Sequence, residues 1–330
     1  MLPLTDRYGR TAVDLRVSLT DRCNLRCTYC MPAEGLAWLP RTTLLTDDEV
    51  VRLIGVAVGR LGVRDVRFTG GEPLLRPGLV EIVAATAALE PRPRISLTTN
   101  GIGLTRVAPA LKDAGLDRVN VSLDTLRPER FRELSLRDRL ADTLDGLRAA
   151  ADAGLTPVKI NTVLMRDVND DEAVALLEFA LAHGYELRFI EQMPLDAQHG
   201  WRRDNMITAE EILAALRLKF TLTEDDVPRG AAPAETWLVD GGPARVGVIG
   251  SVTRPFCGDC DRTRLTADGQ VRACLFATTE TDLRGALRDG ASDDELASLW
   301  AGAMARKLPG HGIDDPAFLQ PPRPMSAIGG

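Results

Sequence analysis

The sequence contains no apolar run long enough to span a bilayer, and its start lacks the basic stretch and apolar core of a secretory signal. Both absences point to a soluble, cytoplasmic chain with no membrane partner. Histidine is nearly missing: a metal site needing imidazole could draw only on His183, His199 and His311. Positive charge is in deficit, 40 basic against 47 acidic residues, net −7, which argues against a general nucleic-acid binder while leaving room for a local basic pocket. Lysine is scarce as well. The only lysines are Lys112, Lys159, Lys219 and Lys307, so the basic residues are almost all arginine and a lysine inside a strand, such as Lys159, stands out. There is no internal repeat and no low-complexity segment. Against these absences stands an ordinary apolar fraction of 45% over 330 residues, enough for a substantial core in one large domain or two.

What is present is six cysteines in two groups of three: Cys23, Cys27 and Cys30 near the start, Cys257, Cys260 and Cys274 near the end. An even number could signal disulfides, but a long chain without a secretory signal favours reduced thiols. Three thiolates can hold three corners of a four-iron cluster, whereas a purely electron-carrying cluster is normally closed by four. The fourth iron is then open to a small-molecule ligand. Zinc is the rival for the second group, because Cys257-x2-Cys260 is also a zinc spacing; it would need a fourth ligand from the few histidines.

The first two-thirds alternate strand-like runs with amphipathic helical patterns. The strands are expected at 14–19, 65–69, 94–98, 118–123, 157–163 and 186–191. Helices are expected from Thr46, whose side chain with Glu49 forms a capping box, and over 79–89, 104–114, 142–153 and 170–183. Such alternation calls for a parallel sheet, open or rolled into an incomplete barrel. Thr208 with Glu211 caps one more helix to about Leu218. Residues 225–235 read as a loop, 236–249 as a hairpin, and Ser292 with Glu295 as another helix start. The Pro- and Gly-rich tail from Pro309 reads as extended. We place a boundary near residue 220, giving units 1–220 and 221–330.

Polar and glycine-rich residues gather at the carboxyl ends of these strands, where parallel α/β proteins build their sites. The first cysteine loop follows the first strand. Gly70-Gly71-Glu72-Pro73 follows the second, its glycines suited to a close backbone approach to a ligand, with Glu72 holding the turn or accepting from an amine. Thr98, Ser122, Lys159 with Asn161, and Glu191 to Pro194 mark the later strands. Each alone could be turn chemistry; together they imply one shared pocket.

The loop Cys23-Asn24-Leu25-Arg26-Cys27-Thr28-Tyr29-Cys30 resembles the C-x3-C-x2-C motif of the radical S-adenosylmethionine superfamily, and Gly70-Gly71-Glu72-Pro73 is similar to its second motif. Phe256-Cys257-Gly258-Asp259-Cys260-Asp261-Arg262-Thr263-Arg264-Leu265, then Arg272-Ala273-Cys274-Leu275-Phe276, resembles the second-cluster region of the GTP 3′,8-cyclase (MoaA) family of molybdenum cofactor biosynthesis. The ending Met325-Ser326-Ala327-Ile328-Gly329-Gly330 is similar to that family's double-glycine tail, and the resemblance covers essentially the whole chain.

That resemblance implies an incomplete (β/α)6 TIM-type barrel, with a smaller α+β unit closing its mouth. It implies two 4Fe-4S clusters and S-adenosyl-L-methionine as cofactors, GTP as substrate, and conversion of GTP to 3′,8-cyclo-7,8-dihydro-GTP after hydrogen abstraction from C3′ by a 5′-deoxyadenosyl radical. The cofactors would carry the radical chemistry, leaving the protein to orient and exclude water. By position, Tyr29, Gly71, Ser122 and Met193 would contact S-adenosylmethionine. Arg16, Arg67, Thr98, Lys159, Arg188, Arg262, Thr263 and Arg264 would contact GTP, and Gly329 and Gly330 would reach the pocket. It further implies an external one-electron reductant, a homodimer, and hand-off of product to cyclic pyranopterin monophosphate synthase.

The charge pattern agrees. Arginine's planar fork suits phosphate oxygens, and arginines at barrel strand ends would meet a triphosphate although the chain is acidic overall. Two other readings are open at this stage. One is a radical enzyme modifying a peptide with the help of an auxiliary cluster, for which extra carboxyl-terminal cysteines would be expected. The other is an iron–sulfur electron carrier or sensor without catalysis.

Overall fold

The computed structural model describes residues 2–316 and 318–329, so the expectation for Gly330 lies outside the described residues. In chain order the elements are β1 (Asp14–Ser18), α1 (Asp47–Gly59), β2 (Asp65–Thr69), α2 (Leu79–Ala87), β3 (Arg94–Thr99), α3 (Leu104–Asp113), β4 (Arg118–Ser122), α4 (Pro128–Ser135) and α5 (Leu140–Asp152). They continue with β5 (Lys159–Leu164), α6 (Ala173–His183), β6 (Glu186–Glu191), α7 (Ala209–Arg217), β7 (Leu222–Glu224), β8 (Glu235–Val239) and β9 (Arg245–Ile249). The last are β10 (Arg262–Leu265), β11 (Gln270–Arg272), β12 (Thr281–Asp282), α8 (Leu283–Arg288), α9 (Asp293–Ala305) and α10 (Met325–Ile328). Among the described residues no helix is long and apolar enough to cross a membrane.

Strands β1 to β6 pair in sequence order, all parallel, as six successive strand–helix units require. Their side chains alternate. Leu15, Val17, Val66, Phe68, Ile95, Leu97, Val119, Val121, Ile160, Leu187 and Phe189 are buried in the core against the helices. The intervening positions, among them Arg16, Arg67, Thr98, Ser122, Asn161 and Arg188, line the interior cavities. Residues from strands far apart in the sheet order share one cavity, which requires the sheet to be rolled, as in a partial TIM-type barrel. The capping boxes at Thr46/Glu49, Thr208/Glu211 and Ser292/Glu295 form as the sequence indicated.

The carboxyl-terminal residues do more than close a mouth. They extend the same sheet at both edges, giving among the described residues twelve strands in the order β12-β11-β10-β1 through β6-β9-β8-β7. Strand β10 runs parallel to β1, and β9 runs parallel to β6. The edges that an isolated six-stranded barrel would leave with open hydrogen-bonding groups are thus covered. Strand β10 was not legible, because Arg262-Thr263-Arg264-Leu265 reads as a polar loop until β1 is beside it. Helix α4 was missed for lack of periodicity: only Phe131 and Leu134 among its apolar residues are buried, although Pro128 occupies the first-turn position that favours helix initiation. The tail departs from the extended form expected of it, since residues 325–328 make a helical turn.

Candidate active site

The loop from Thr20 to Cys30 lies over the carboxyl ends of the barrel strands, held down by the two glycines after β2. Gly71 N–H donates to the Thr20 carbonyl (2.8 Å), and Glu72 N–H to that of Arg22 (2.7 Å). A Cβ on Gly70, whose φ is +138°, would sit 2.4 Å from the Thr20 oxygen; one on Gly71 would sit 2.2 Å from that of Arg22. The close approach that demands glycine here is therefore to the cysteine loop itself. Glu72 is fully buried and accepts from Leu74 N–H (3.0 Å), Thr99 Oγ1 (2.7 Å) and Asn100 N–H (2.7 Å). It is a turn-holding carboxylate; burial raises it to about 7.

All six cysteines are free thiols. In the first triad burial pushes Cys23 up to about 11, Cys30 to about 12 and Cys27 well above the thiol range, with Glu72, Asp196 and Asp124 respectively adding to the effect. Thiols so placed stay protonated until a metal displaces the proton. In the second triad burial raises Cys257. Burial acts the same way on Cys260, but Lys307 and Arg262 outweigh it and leave that thiol below its ordinary value. Within each triad the thiols feel one another's charge. Yet among the described residues no three His, Cys, Asp or Glu side chains converge closely enough for a single metal ion. Three soft sulfur donors grouped around a gap, with no fourth cysteine to close the set, fit a 4Fe-4S cube better than one zinc ion.

The two triads face one chamber with two lobes. The first lobe, about 1250 Å³, is lined by Cys23, Cys27, Cys30, Tyr29, Gly71 and Ser122. The second, about 970 Å³, is lined by Cys257, Cys260, Cys274, Arg16, Arg67, Arg188, Arg262 and Arg264. Thr98, Asn161, Ile190 and Met193 belong to both, so the lobes meet there. Tyr29 donates its hydroxyl to Asp124 Oδ2 (2.7 Å), while Asp124 Oδ1 accepts from Val163 N–H (2.9 Å). This ties the cysteine loop to the ends of β4 and β5.

The second lobe is crowded with positive charge. Burial, then neighbouring guanidinium groups, push Arg264 down to about 9 and Arg188 to about 10; Arg67 and Arg262 are lowered for the same reasons. Asp14 is ion-paired among them, to Arg16 (3.1 Å) and Arg262 (3.8 Å), and Asp261 and Glu186 also act on these arginines. Burial alone would raise Asp14, but Arg16, Arg67 and Arg262 pull it well below the carboxylate range. Arginine does not give up its proton in proteins, so the crowding appears as an unneutralised charge that an anion would relieve.

Two residues expected at GTP lie off the lining of both lobes. Thr263 points away from the chamber: it is fully buried and its Oγ1 accepts from Trp300 Nε1 (2.9 Å) on α9, because alternation along β10 sends it to the face opposite Arg262 and Arg264. Lys159 lies at the amino end of β5, its Nζ donating to Glu186, and is absent from the lining of either lobe. Burial followed by Arg188 lowers it to about 8. Gly329 lies against Arg264, one of the residues lining the second lobe. The Gly329 carbonyl accepts from Arg264, the Ile328 carbonyl accepts from Ser18 Oγ (2.8 Å), and Met325 and Ser326 line the first lobe. A Cβ on Gly329, at φ +79°, would fall 2.5 Å from Ser18 Oγ and from Thr69 Cγ2. Asn161, Phe256, Ser251 and His311 also line the site without having been singled out as ligand contacts; nothing local in the sequence distinguishes them.

Comparison with known proteins agrees with this geometry. The Radical SAM superfamily profile matches residues 17–180, and the Molybdenum Cofactor Synthesis C profile matches 185–313. Among solved structures, Streptococcus suis SuiB bound to S-adenosylmethionine superposes with a TM-score of 0.63 at 14% identity, covering 90% of this chain and 69% of that one, a likeness of fold. The rolled parallel sheet with its three-cysteine loop thus belongs to a radical S-adenosylmethionine protein. Curated relatives narrow the class. GTP 3′,8-cyclase of Streptomyces coelicolor is 71% identical over 99% of this chain and 96% of its own length. GTP 3′,8-cyclase of Mycobacterium marinum is 61% identical over 99% of this chain and 92% of its own. The chain belongs to the GTP 3′,8-cyclase family.

Proposed function

We propose that this chain converts GTP to 3′,8-cyclo-7,8-dihydro-GTP, the radical cyclisation that begins molybdenum cofactor biosynthesis. The supporting observation is the single two-lobed chamber, with one cysteine triad in each lobe and the arginines confined to one of them. When bound, a 4Fe-4S cluster and S-adenosylmethionine would supply the 5′-deoxyadenosyl radical that takes the hydrogen from C3′ of the ribose; C3′ would then bond to C8 of guanine, and one electron from the external donor with one proton at N7 would complete the 7,8-dihydro product.

In this reading Cys23, Cys27 and Cys30 hold the first cluster, and Gly71, Tyr29, Ser122 and Met193 position S-adenosylmethionine. Cys257, Cys260 and Cys274 hold the second cluster, whose open iron would orient the purine. Arg16, Arg67, Arg188, Arg262 and Arg264 take the triphosphate. Their crowding without a matching number of carboxylates is what a polyanion of nearly four charges would neutralise. Thr98, Asn161, Ile190 and Met193, at the junction of the lobes, would set the distance between the adenosyl carbon and C3′. The Gly329 carbonyl, already held by Arg264, would bring the tail to the phosphate-binding row. Residues 1–220 would prime the radical and 221–330 would grip the nucleotide. An external one-electron donor, homodimerisation, hand-off to a pterin-forming synthase and a cytoplasmic location complete the proposal.

The test is anaerobic. Reconstituted, reduced protein is incubated with S-adenosylmethionine and GTP or ATP, and 5′-deoxyadenosine and cyclised nucleotide are measured. GTP should give both products in excess over ATP, and equal yields would refute the assignment. Anaerobic iron counting should return about eight irons per chain if both triads hold four-iron clusters.

A further inference from the structure

Lys307 is a lysine with no carboxylate partner among the described residues and almost no exposure (3%). It follows the end of α9, its backbone N–H bonded to the Met304 carbonyl (3.0 Å), where a positive charge also suits the helix terminus. Its Nζ reaches three acceptors: the Cys260 carbonyl (3.0 Å), the Arg262 carbonyl (2.9 Å) and the Cys260 sulfur (3.2 Å). An ammonium has three donors and no acceptor, so this cradle uses each donor once; a neutral amine would leave one acceptor without a hydrogen.

The position is fixed independently of any ligand. Arg10 donates to the carbonyls of Leu308 (2.6 Å), Pro309 (2.9 Å) and Cys257 (2.5 Å), while its Nε pairs with Asp6 (2.6 Å). One guanidinium therefore binds the segment carrying Lys307 to the loop carrying the cysteines. The other three lysines are engaged elsewhere: Lys112 on a carbonyl, Lys159 and Lys219 on glutamates. Around the first triad the carboxylates Glu72, Asp124 and Asp196 each raise a thiol, with Arg26 opposing them at Cys23.

We propose that Lys307 is a positioning residue for the group held by Cys257, Cys260 and Cys274: its ammonium donates to the Cys260 sulfur, favours the reduced form of that group, and locks the cysteine loop to the arginine-bearing strand β10. This rests on the reading that the second triad holds a 4Fe-4S cluster. Hydrogen bonds to cluster sulfurs and nearby positive charge stabilise the electron-rich state and raise the reduction potential. The step is a one-electron reduction by an external donor, with no bond made or broken.

The experiment uses the full chain with Cys23, Cys27 and Cys30 replaced by alanine, so that only the second cluster assembles, and adds Lys307→Met or Lys307→Arg. Iron is counted, and the cluster is titrated with dithionite under EPR. About four irons are expected in all three proteins. Lys307→Met should lower the midpoint by at least a tenfold change in the reduction equilibrium, about 59 mV for one electron, and Lys307→Arg should restore most of it. Full iron content with an unchanged midpoint in Lys307→Met overturns the inference. No iron in the protein retaining Lys307 overturns the two-cluster reading instead. Should Lys307→Met fail to hold iron, pulsed EPR of the lysine-15N-labelled protein retaining Lys307 decides the matter. A 15N coupling at the reduced second cluster, lost in Lys307→Arg, is expected; its absence overturns the inference.

Discussion

Arg16 on β1 and Arg264 on β10 are register partners across a parallel ladder, and Arg67 on β2 continues the same row. Adjacent strands lie about 4.8 Å apart, and like charges placed opposite one another on a sheet are destabilising. Three guanidinium groups in one row are thus a cost to the empty fold, and a bound polyanion offsets it. The row exists only because β10, from the far end of the chain, pairs with β1.

Arg264→Ala should therefore act in opposite directions on two measurements. GTP affinity, read by anaerobic calorimetry, should fall by about 10- to 100-fold, since a hydrogen bond to a charged group contributes about 1.5–3 kcal/mol. The melting temperature of the nucleotide-free protein should stay level or rise as the like-charge row is thinned. A clear fall in the nucleotide-free melting temperature would show that the arginine serves the fold instead.

Thr263→Val is the contrasting case one residue earlier. It should leave GTP affinity unchanged while destabilising the protein by about 1–3 kcal/mol, because the buried Trp300 Nε1 loses its acceptor. Denaturant unfolding measures the loss, and calorimetry checks that binding persists.

Gly71→Ala should cost iron without touching the second triad. A Cβ 2.2 Å from the Arg22 carbonyl must displace the backbone that leads into Cys23. Iron content after reconstitution should drop from about eight to about four per chain, with the second cluster's EPR signal retained. Retention of all the iron would mean that the loop shifts without consequence.

Tyr29→Phe removes the hydroxyl that joins the cysteine loop to Asp124. Loss of this buried bond should destabilise the protein by about 1 kcal/mol and weaken S-adenosylmethionine binding. Burial has raised Asp124 to about 6, so part of its population is protonated below that pH. The affinity loss should therefore be larger at pH 8, where the carboxylate is ionised and accepts strongly, than at pH 5.

Asp14 carries a pH dependence of the opposite kind. Its folded-state value is held well below the ordinary 3.8 by Arg16, Arg67 and Arg262, against the effect of burial. The stabilisation it gives is fully present above that ordinary value and is lost as pH falls toward the depressed one. Asp14→Asn should reduce stability at pH 7 and flatten its fall between pH 4 and pH 2, as followed by thermal melts of the metal-free protein.

Much of this was written locally. The bounds of β2 and β6 could be read from alternation, and the helix starts at Thr46, Thr208 and Ser292 from their capping residues. The two cysteine triads needed only their spacing, and the glycines after β2 were marked correctly, though for a ligand where the structure gives them the Thr20–Arg22 loop. Lys159 is expected at GTP from the family resemblance; only the folded chain shows that it stands at the amino end of β5, paired with Glu186 and off the chamber lining.

The sequence by itself determined the chemistry that is local: which residues are strand and helix, and which sulfurs stand together. Those features depend on spacings of two to four residues, and the chain carries them wherever it goes. The tertiary structure alone decided what lies across from what. It put β10 beside β1 so that Arg264 meets Arg16, turned Thr263 to Trp300, and set Lys307 against Cys260. Pairings of that kind join residues dozens to hundreds of positions apart. They follow from the burial of apolar faces and the covering of open strand edges, which no short stretch of sequence records.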